Sequence, residues 1–464
     1  MQKNNNSPWL YQLKRTRAVD TLLGDMRTDI AIVGAGIAGI MTAYFTLKYT
    51  DREVLLVEAG RVAHGATGHN AGQIVFEFEK EFHRLVEDHG LALAADAEKS
   101  VRGAWVLIEE IYHDAQLTTP MSSFLGYNGY ATVGRVVEEL KNNALRVEAG
   151  MSVPPVYISE KAEGLDEIPA AYKDLYSIVP HENVLALLET DDTQYVAVMA
   201  ERKGCVNSAM LVEEIVGYLL ATYKGRFVLA EESPVREVVL DQDSGMLKIT
   251  DHSVYAKKIV MCTNGFEKFK ITNMAGGNID TKFHHMVIGN IGYMAGYLED
   301  MTHPPIALQY HDKEQIEFGH REHSYQEKPY MYLTRRPYEL EKNERHNLVC
   351  VGGPEQNIED TTAYKNEGEV VAESVDQIEN FIHKTYKHGP KGKVDFEFKW
   401  HGLMGYTPTN MRVIGEEPKN GVLMYNLGCN GIGILTSIYG GKRISQMLKG
   451  EALGPSLFDP KISY

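Results

Sequence analysis

The feature that most constrains this chain is a short unit near its start. An apolar, β-branched run at 28–33 reads as a buried parallel strand and leads directly into Gly34-Ala35-Gly36-Ile37-Ala38-Gly39. A helical stretch to about Lys48 and a second strand at 54–57, closing at Glu58, complete a βαβ unit of the usual size. Gly34 allows the tight turn out of the strand, Gly36 lets the backbone approach a pyrophosphate, and Gly39 lets the helix pack closely on the sheet. The helix N-terminus at Ile37 and Ala38 turns its free N–H groups and positive dipole end toward the phosphates. Glu58 follows Gly39 by 19 residues, where a carboxylate accepts hydrogen bonds from a ribose diol; Ala59 and Arg61 lie just beyond it. Together these residues specify an adenine dinucleotide and leave NAD and FAD both open.

A small-residue loop follows the second strand: Gly65-Ala66-Thr67-Gly68-His69-Asn70-Ala71-Gly72-Gln73. Here the sequence resembles FAD-dependent amine and amino-acid oxidoreductases of the D-amino-acid oxidase type, in which such a loop runs past the flavin. Two later segments extend the resemblance. Ser233-Pro234-Val235 with Thr263-Asn264-Gly265 is similar to the family's second adenine-contacting stretch, where the backbone at the valine position meets the adenine edge. Gly428-Cys429-Asn430-Gly431-Ile432-Gly433, opening a helix at Ile434, is similar to its flavin-capping turn. A helix N-terminus there stabilises the negative charge that reduction places on the flavin N1–C2=O edge. A nicotinamide-only dehydrogenase leaves this terminal turn unexplained, so the resemblance implies FAD.

The departures from the family bear on the substrate. Relatives that oxidise D-amino acids or glycine carry an arginine before the terminal strand, whose planar fork matches a carboxylate. In Trp400-His401-Gly402-Leu403-Met404-Gly405-Tyr406 that place is Met404, with Gly402 expected against the cofactor. Relatives like monomeric sarcosine oxidase place a lysine just after the capping turn; here Leu435 stands there. The reading is therefore oxidation of the C–N bond of a small amine, closest in loop chemistry to γ-glutamylputrescine oxidase. Hydride leaves the α-carbon for flavin N5, and the resulting imine hydrolyses. Arg335, Arg336 or Arg412 supplying the missing cation defines the alternative, an amino-acid oxidase or dehydrogenase. A non-catalytic FAD-binding protein is the remaining reading. His69 replaces the arginine of the γ-glutamylputrescine oxidase type. Dimethylglycine dehydrogenase relatives have a histidine there, bonded to the flavin 8α-carbon, so a covalent tether and a neutral hydrogen-bonding histidine both stay open. His284, His285 and Tyr406 are the candidate catalytic side chains, and Tyr332 is a candidate wall.

The rest of the sequence sets limits. A net charge of −16 opposes binding to nucleic-acid phosphates. No apolar run reaches membrane-spanning length, and the N-terminus carries no signal core. Four cysteines without metal-ligand spacing read as free thiols of a cytoplasmic protein with no metal site. Oxygen or an electron carrier is the expected acceptor. Helices are expected over 76–116, 132–149, 207–223 and 365–386, the acidic run at 77–87 forming a solvated helix face. Strands are expected at 226–230, 257–262, 286–291, 330–334, 348–351 and 421–427. The fold class is mixed α/β: a Rossmann-like FAD-binding domain of the glutathione-reductase type, with a parallel sheet, interleaved with a substrate domain on a mostly antiparallel sheet. Segments 25–80, 204–281 and 398–464 are assigned to the first, and 81–203 and 282–397 to the second.

Overall fold

The computed structural model describes residues 5–267, 269–279, 287–313 and 330–461. Two large sheets organise the chain, as the fold class anticipates. The first is centred on Met26–Val33, whose last four residues are buried. It pairs in parallel with Val54–Val57 on one side and His252–Met261 on the other. Phe227–Ala230 and Leu423–Leu427 extend this parallel core. An antiparallel ribbon, Val235–Leu240 with Gly245–Ile249, continues from His252–Met261. The strands are short, apolar runs because helices and ribbon cover both faces.

The helix Ile37–Tyr49 crosses this sheet with eleven buried residues. It is apolar all round, as a helix sandwiched between a sheet and further helices must be. Its helical neighbours are the terminal helix Ile434–Lys449 and the helix Ser208–Thr222. Gly39 makes the approach possible, since a Cβ there would lie 1.8 Å from the Gly34 carbonyl oxygen.

The second sheet runs Phe398–Tyr406, Ile288–Glu299, Arg345–Ile358, Met331–Glu339, Ile306–His311, Met121–Tyr130, Ala197–Val206, Val156–Ser159 and Ser177–Val179. Most neighbours are antiparallel. Two boundaries drawn from sequence move. Gln73–Ile74 pairs with Ala197–Val206, and Phe398–Tyr406 pairs with Ile288–Glu299, so both belong to the second sheet. Leu91–Ala115, assigned to the substrate segments, packs instead in the core around the first sheet's helices.

The expected helix at 76–116 is a correction of more consequence. Helix begins only at Phe82, breaks at Gly90 with φ +82°, and resumes at Leu91. Residues 75–81 lie outside any helix or strand, with a bend at 79–80. Phe76-Glu77-Phe78-Glu79 alternates apolar and acidic residues with the period of a strand, so the acids do not share one solvated face. The expected helix at 365–386 likewise shortens to Ala372–Thr385.

Candidate active site

A cavity of about 630 Å³ lies between the two sheets, within the roughly 300–1,000 Å³ of cofactor and ligand sites. Its floor is the βαβ turn. Gly34 has φ +102°, and a Cβ would meet the Cys262 carbonyl oxygen at 2.8 Å. Gly36, Ile37 and Ala38 line the cavity where the helix begins, and Gly39 sits behind them in the helix–strand contact. Thr67 Oγ accepts from the Ile37 N–H at 2.9 Å, tying the small-residue loop to the helix N-terminus. Glu58 accepts from the N–H groups of Ala35 and Gly60, both at 2.8 Å. Burial raises its pKa and those N–H groups oppose the rise. Ala59 lines the cavity beside Glu58, whereas Arg61 points to Glu232 at 3.1 Å.

Ala66, Thr67, His69, Asn70, Ala71 and Gln73 form one side wall. The N-terminal segment holds this wall in place. The indole N–H groups of Trp9 and Trp400 both donate to the Asn70 carbonyl, at 2.6 and 3.2 Å. Ser7 Oγ donates to the Gly68 carbonyl at 2.5 Å. Gly72 turns away from the cavity and packs under Trp9 and Arg336. His69 is buried, with Nδ1 3.0 Å from the Gly65 carbonyl. A carbonyl only accepts, so Nδ1 carries the proton and Nε2 is left as the basic nitrogen. Burial lowers the pKa of this ring, which keeps it neutral.

The other predicted segments converge on the same space. Val235, Thr263 and Asn264 line it, while Gly265 packs on Val287 just outside. Asn264 clamps the terminal turn: its Oδ1 accepts from the Cys429 N–H at 2.7 Å. Gly431, Ile432, Gly433 and Ile434 reach the cavity, Gly433 being the N-cap of the last helix. Gly428 and Asn430 shape the turn from behind, the Asn430 Oδ1 accepting from the Thr407 N–H at 2.8 Å. Gly402 lines the cavity because only a glycine fits there; a Cβ would lie 2.7 Å from the His69 carbonyl oxygen. The cradle thus fits an adenine dinucleotide flavin. Gly34 to Ile37 would hold its phosphates, Glu58 and Val235 its adenosine end, and the loop and capping turn its ring.

The opposite wall comes from the second sheet: Gly292, Met294, Gln309, Tyr330, Tyr332, Glu355, Met404 and Tyr406, with Glu79 from the bend before the helix Phe82–His89. Burial pushes Glu79 up to about 8, with Glu355 and Glu77 adding to the rise. Tyr330 donates to Glu79 at 3.5 Å. Tyr406, expected as a candidate catalytic group, is buried in this wall, and its phenol is held neutral by burial with Glu355 and Glu79 nearby. His284 and His285 lie outside the described residues. Glu79, Glu355, Gln309 and Tyr330 were not foreseen. The Phe-Glu alternation carried a signal for Glu79; Glu355 reaches the wall through long-range pairing that leaves no local trace.

The three proposed replacements for the missing substrate-binding cation are engaged elsewhere. Arg335 forms a two-pronged pair with Glu189 at 2.6 and 2.8 Å. Arg336 donates to the Val206 carbonyl at 2.9 Å and lies over Trp9. Arg412 does line the cavity, but on the cofactor side, donating to Asn426 Oδ1 and its carbonyl at 2.6 and 2.9 Å. Among the described residues no helix is long and apolar enough to cross a membrane. The four cysteines are free, three of them buried.

A dinucleotide cradle in one sheet, closed by a second sheet and a terminal glycine turn, defines a two-sheet flavoprotein oxidoreductase. The chain belongs to the DAO family of FAD-dependent oxidoreductases, which matches residues 29–447. Among curated relatives, it is 27% identical to gamma-glutamylputrescine oxidoreductase of Escherichia coli (strain K12) over 94 residues, which is 20% of this chain and 22% of that enzyme. The chain therefore matches only about a fifth of that relative's length. Two solved structures share the whole architecture. Glycine oxidase from Geobacillus kaustophilus superposes with a TM-score of 0.66 at 16% identity, covering 94% of this chain and 98% of that one. L-Proline dehydrogenase from P. horikoshii gives 0.66 at 13% identity, with 94% and 97% covered. At such identities they establish the fold.

Proposed function

We propose that the protein oxidises the C–N bond of a small amine. The carrying observation is the chemistry of the substrate wall. Among the described residues it presents phenols, amides and carboxylates, with Met404 where amino-acid-oxidising relatives carry arginine. A free α-carboxylate would enter a wall that, among the described residues, offers it no guanidinium, and a desolvated carboxylate without a cationic partner is costly. The same wall suits an amine.

Bound FAD supplies the two-electron acceptor that takes hydride from the carbon next to nitrogen. The residues do the rest. Tyr330, Tyr332 and Met404 exclude water and orient the α-carbon, which converts a chance encounter into a fixed geometry. Glu79, raised to about 8, holds its proton near neutral pH and takes one from a substrate ammonium only as pH rises through about 8, leaving the neutral amine that the reaction requires. The product is an imine, which water converts to a carbonyl compound and a released amine or ammonia. Electrons then leave to oxygen or to a carrier.

The test is anaerobic mixing of the flavin-loaded protein with alkylamines and with D- and L-amino acids, followed at the flavin's visible band. Bleaching by amines and not by amino acids is expected; the reverse overturns the reading. Air admitted afterwards separates an oxidase, which recovers its colour at once, from a dehydrogenase. Acid precipitation of the same sample reads His69, since a yellow pellet marks a covalent bond and a yellow supernatant marks a neighbour.

A further inference from the structure

Behind the substrate wall, Glu77 and Lys203 belong to a polar network that ends on a residue lining the cavity. Three neighbouring strands of the second sheet supply most of it. Gln309 pairs in register with Asn128 on one side and with Tyr332 on the other. Asn128, Glu201 and Lys203 share one sheet face, Glu201 standing opposite Gly126 and Lys203 opposite Phe124. Gly126 makes room for the lysine, since a Cβ there would lie 2.6 Å from Lys203 Cδ. Gln309, Asn128, Glu201 and Lys203 are all buried. A second cavity of about 110 Å³ adjoins the first; Gln309 lines both, and Glu77 lines the second.

The bonds of this network run one way. Glu77 Oε2 accepts from Gln309 Nε2 at 3.1 Å, and its Oε1 accepts from Asn128 Nδ2 at 2.9 Å. Asn128 Nδ2 also donates to Glu201 Oε1 at 2.9 Å, while its oxygen accepts from Lys203. Lys203 Nζ stands 3.6 Å from Glu77 and 3.4 Å from Glu201. Burial alone would raise the Glu77 carboxyl; Lys203 outweighs it, helped by Glu201, Asn128 and Gln309, and holds the group below the usual carboxylate range. Glu201 moves the other way, raised by burial and then by Glu77, and keeps the proton of the pair. An ionised carboxylate only accepts, so Gln309 must offer it the NH2 end and the amide is not free to flip. Among the described residues the bond to Glu77 is the one hydrogen bond of the Gln309 side chain, which leaves its oxygen for the substrate cavity. A buried ion pair contributes little net stability, since desolvation offsets the attraction. Its effect here is to fix one orientation of one amide.

We propose that Gln309 selects the substrate by its nitrogen: its amide oxygen accepts an N–H of the bound amine, and Glu77 and Lys203 are positioning residues that aim it. The inference rests on the amine reading above and narrows its substrate class to primary and secondary amines. An acceptor is what the reaction asks for at that place. As the α-carbon loses hydride, the electron pair of the C–H bond passes to the flavin and the nitrogen lone pair becomes the new C=N bond, so the lone pair must stay free. An amide turned the other way would donate to that lone pair and hold it back. With its oxygen presented, Gln309 engages an N–H instead and leaves the lone pair to align with the breaking bond. The nitrogen becomes an iminium, whose N–H is a stronger donor, so the contact tightens as charge develops. A neutral tertiary amine has no N–H and leaves the oxygen unmatched.

The experiment takes the alkylamine that bleaches the flavin-loaded protein fastest, with its N-methyl and N,N-dimethyl forms. Anaerobic mixing gives the limiting rate of bleaching and the half-saturating concentration of neutral amine. In wild type the limiting rate is expected to fall about tenfold or more from the secondary to the tertiary amine, and little from the primary to the secondary. Both steps add the same methyl group, so a fall confined to the second marks the lost N–H. An equal fall at both steps marks bulk and overturns the proposal, as does no fall at all. Gln309→Met keeps the length of the side chain and removes the acceptor; there the primary amine slows, the tertiary hardly changes, and their ratio closes toward one. A ratio that stays as in wild type overturns the role of Gln309. Glu77→Gln, checked for flavin content and circular dichroism, frees the Gln309 amide to turn and is expected to lower the limiting rate more than it raises the half-saturating concentration. An unchanged primary-to-tertiary ratio in that variant overturns the aiming role of Glu77. The wild-type series decides even where neither variant folds, and each of these failures leaves the amine reading standing. Bleaching by no alkylamine overturns both.

Discussion

At the scale of single residues the molecule stores one conspicuous charge conflict, at Glu79. Burial and the nearby Glu355 and Glu77 raise its carboxyl from the usual 4.5 to about 8. The sign of its effect on stability follows from proton linkage. Between those two values the folded protein holds a proton at Glu79 that the unfolded chain releases. The associated stability is therefore complete below about pH 4.5 and is lost as pH rises through about 8. Glu79→Gln removes this dependence. Glu139 and Glu299, each pushed up to about 7 by burial first, act in the same direction in both proteins and cancel in the comparison. Thermal midpoints of wild type and Glu79→Gln, taken without amine at pH 5.5 and 8.5, should differ most at the higher pH, the variant being the more stable. Equal pH slopes would place Glu79 in a solvated setting. The residue was also the hardest to read from sequence. The glycines, Glu58 and the capping turn are legible because their chemistry is local: each needs a fixed spacing from a strand or helix end. Glu79 and Glu355 are made functional by tertiary placement, and an acidic run near a helix start looks like an ordinary solvated surface.

At the scale of elements, the parts that hold the cofactor loop are not the parts that carry its motif. The short helix Pro8–Gln12 begins a segment with no recognisable pattern, yet Trp9 is fully buried and stands edge-on to Trp400 with ring centres 6.2 Å apart. Both indoles converge on the Asn70 carbonyl, so one helix and one strand of the second sheet fasten a loop of the first half of the chain. Trp9→Phe keeps most of the volume and drops one hydrogen bond, a loss of about 1 kcal/mol. Trp9→Ala opens a cavity under the loop and should cost about 3–5 kcal/mol. Both variants should release flavin more readily, Trp9→Ala by far the more, as measured by FAD titration of the stripped protein. Unchanged FAD affinity in Trp9→Ala would show that the loop keeps its shape without this support. Sequence reasoning recovers the strands at 26–33, 54–57, 227–230 and 423–427 within a residue or two, because each is a short apolar run closed by turn residues, but it starts His252–Met261 five residues late and misses Lys270–Asn273 and Val413–Glu416. It does not recover Met121–Tyr130 or Ala197–Val206, whose polar and glycine residues obscure the period-two pattern.

At the scale of the whole molecule, the cavity is a seam. Its walls come from residues near 34–79, 233–269, 292–355 and 402–437, so four separated stretches of the chain meet at one space. A cofactor in that seam touches both sheets at once and behaves as part of the core, binding the folded state and not the unfolded chain. Such a ligand at a hundred times its Kd adds about 2.7 kcal/mol to folding stability. The flavin-stripped protein is therefore expected to melt several degrees below the loaded form, with the midpoint climbing steadily as FAD is added. FMN should restore less, since it leaves the Glu58 and Val235 end of the cradle empty. Because the two sheets meet across the cofactor, release of flavin and loss of secondary structure should coincide on heating. Flavin fluorescence and circular dichroism recorded on one sample read this directly, coincident transitions being the mark of a single cooperative unit. Flavin fluorescence that rises well before the circular dichroism changes would mean that the two sheets hold together without the cofactor, and that the seam is a docking cleft in an already stable body.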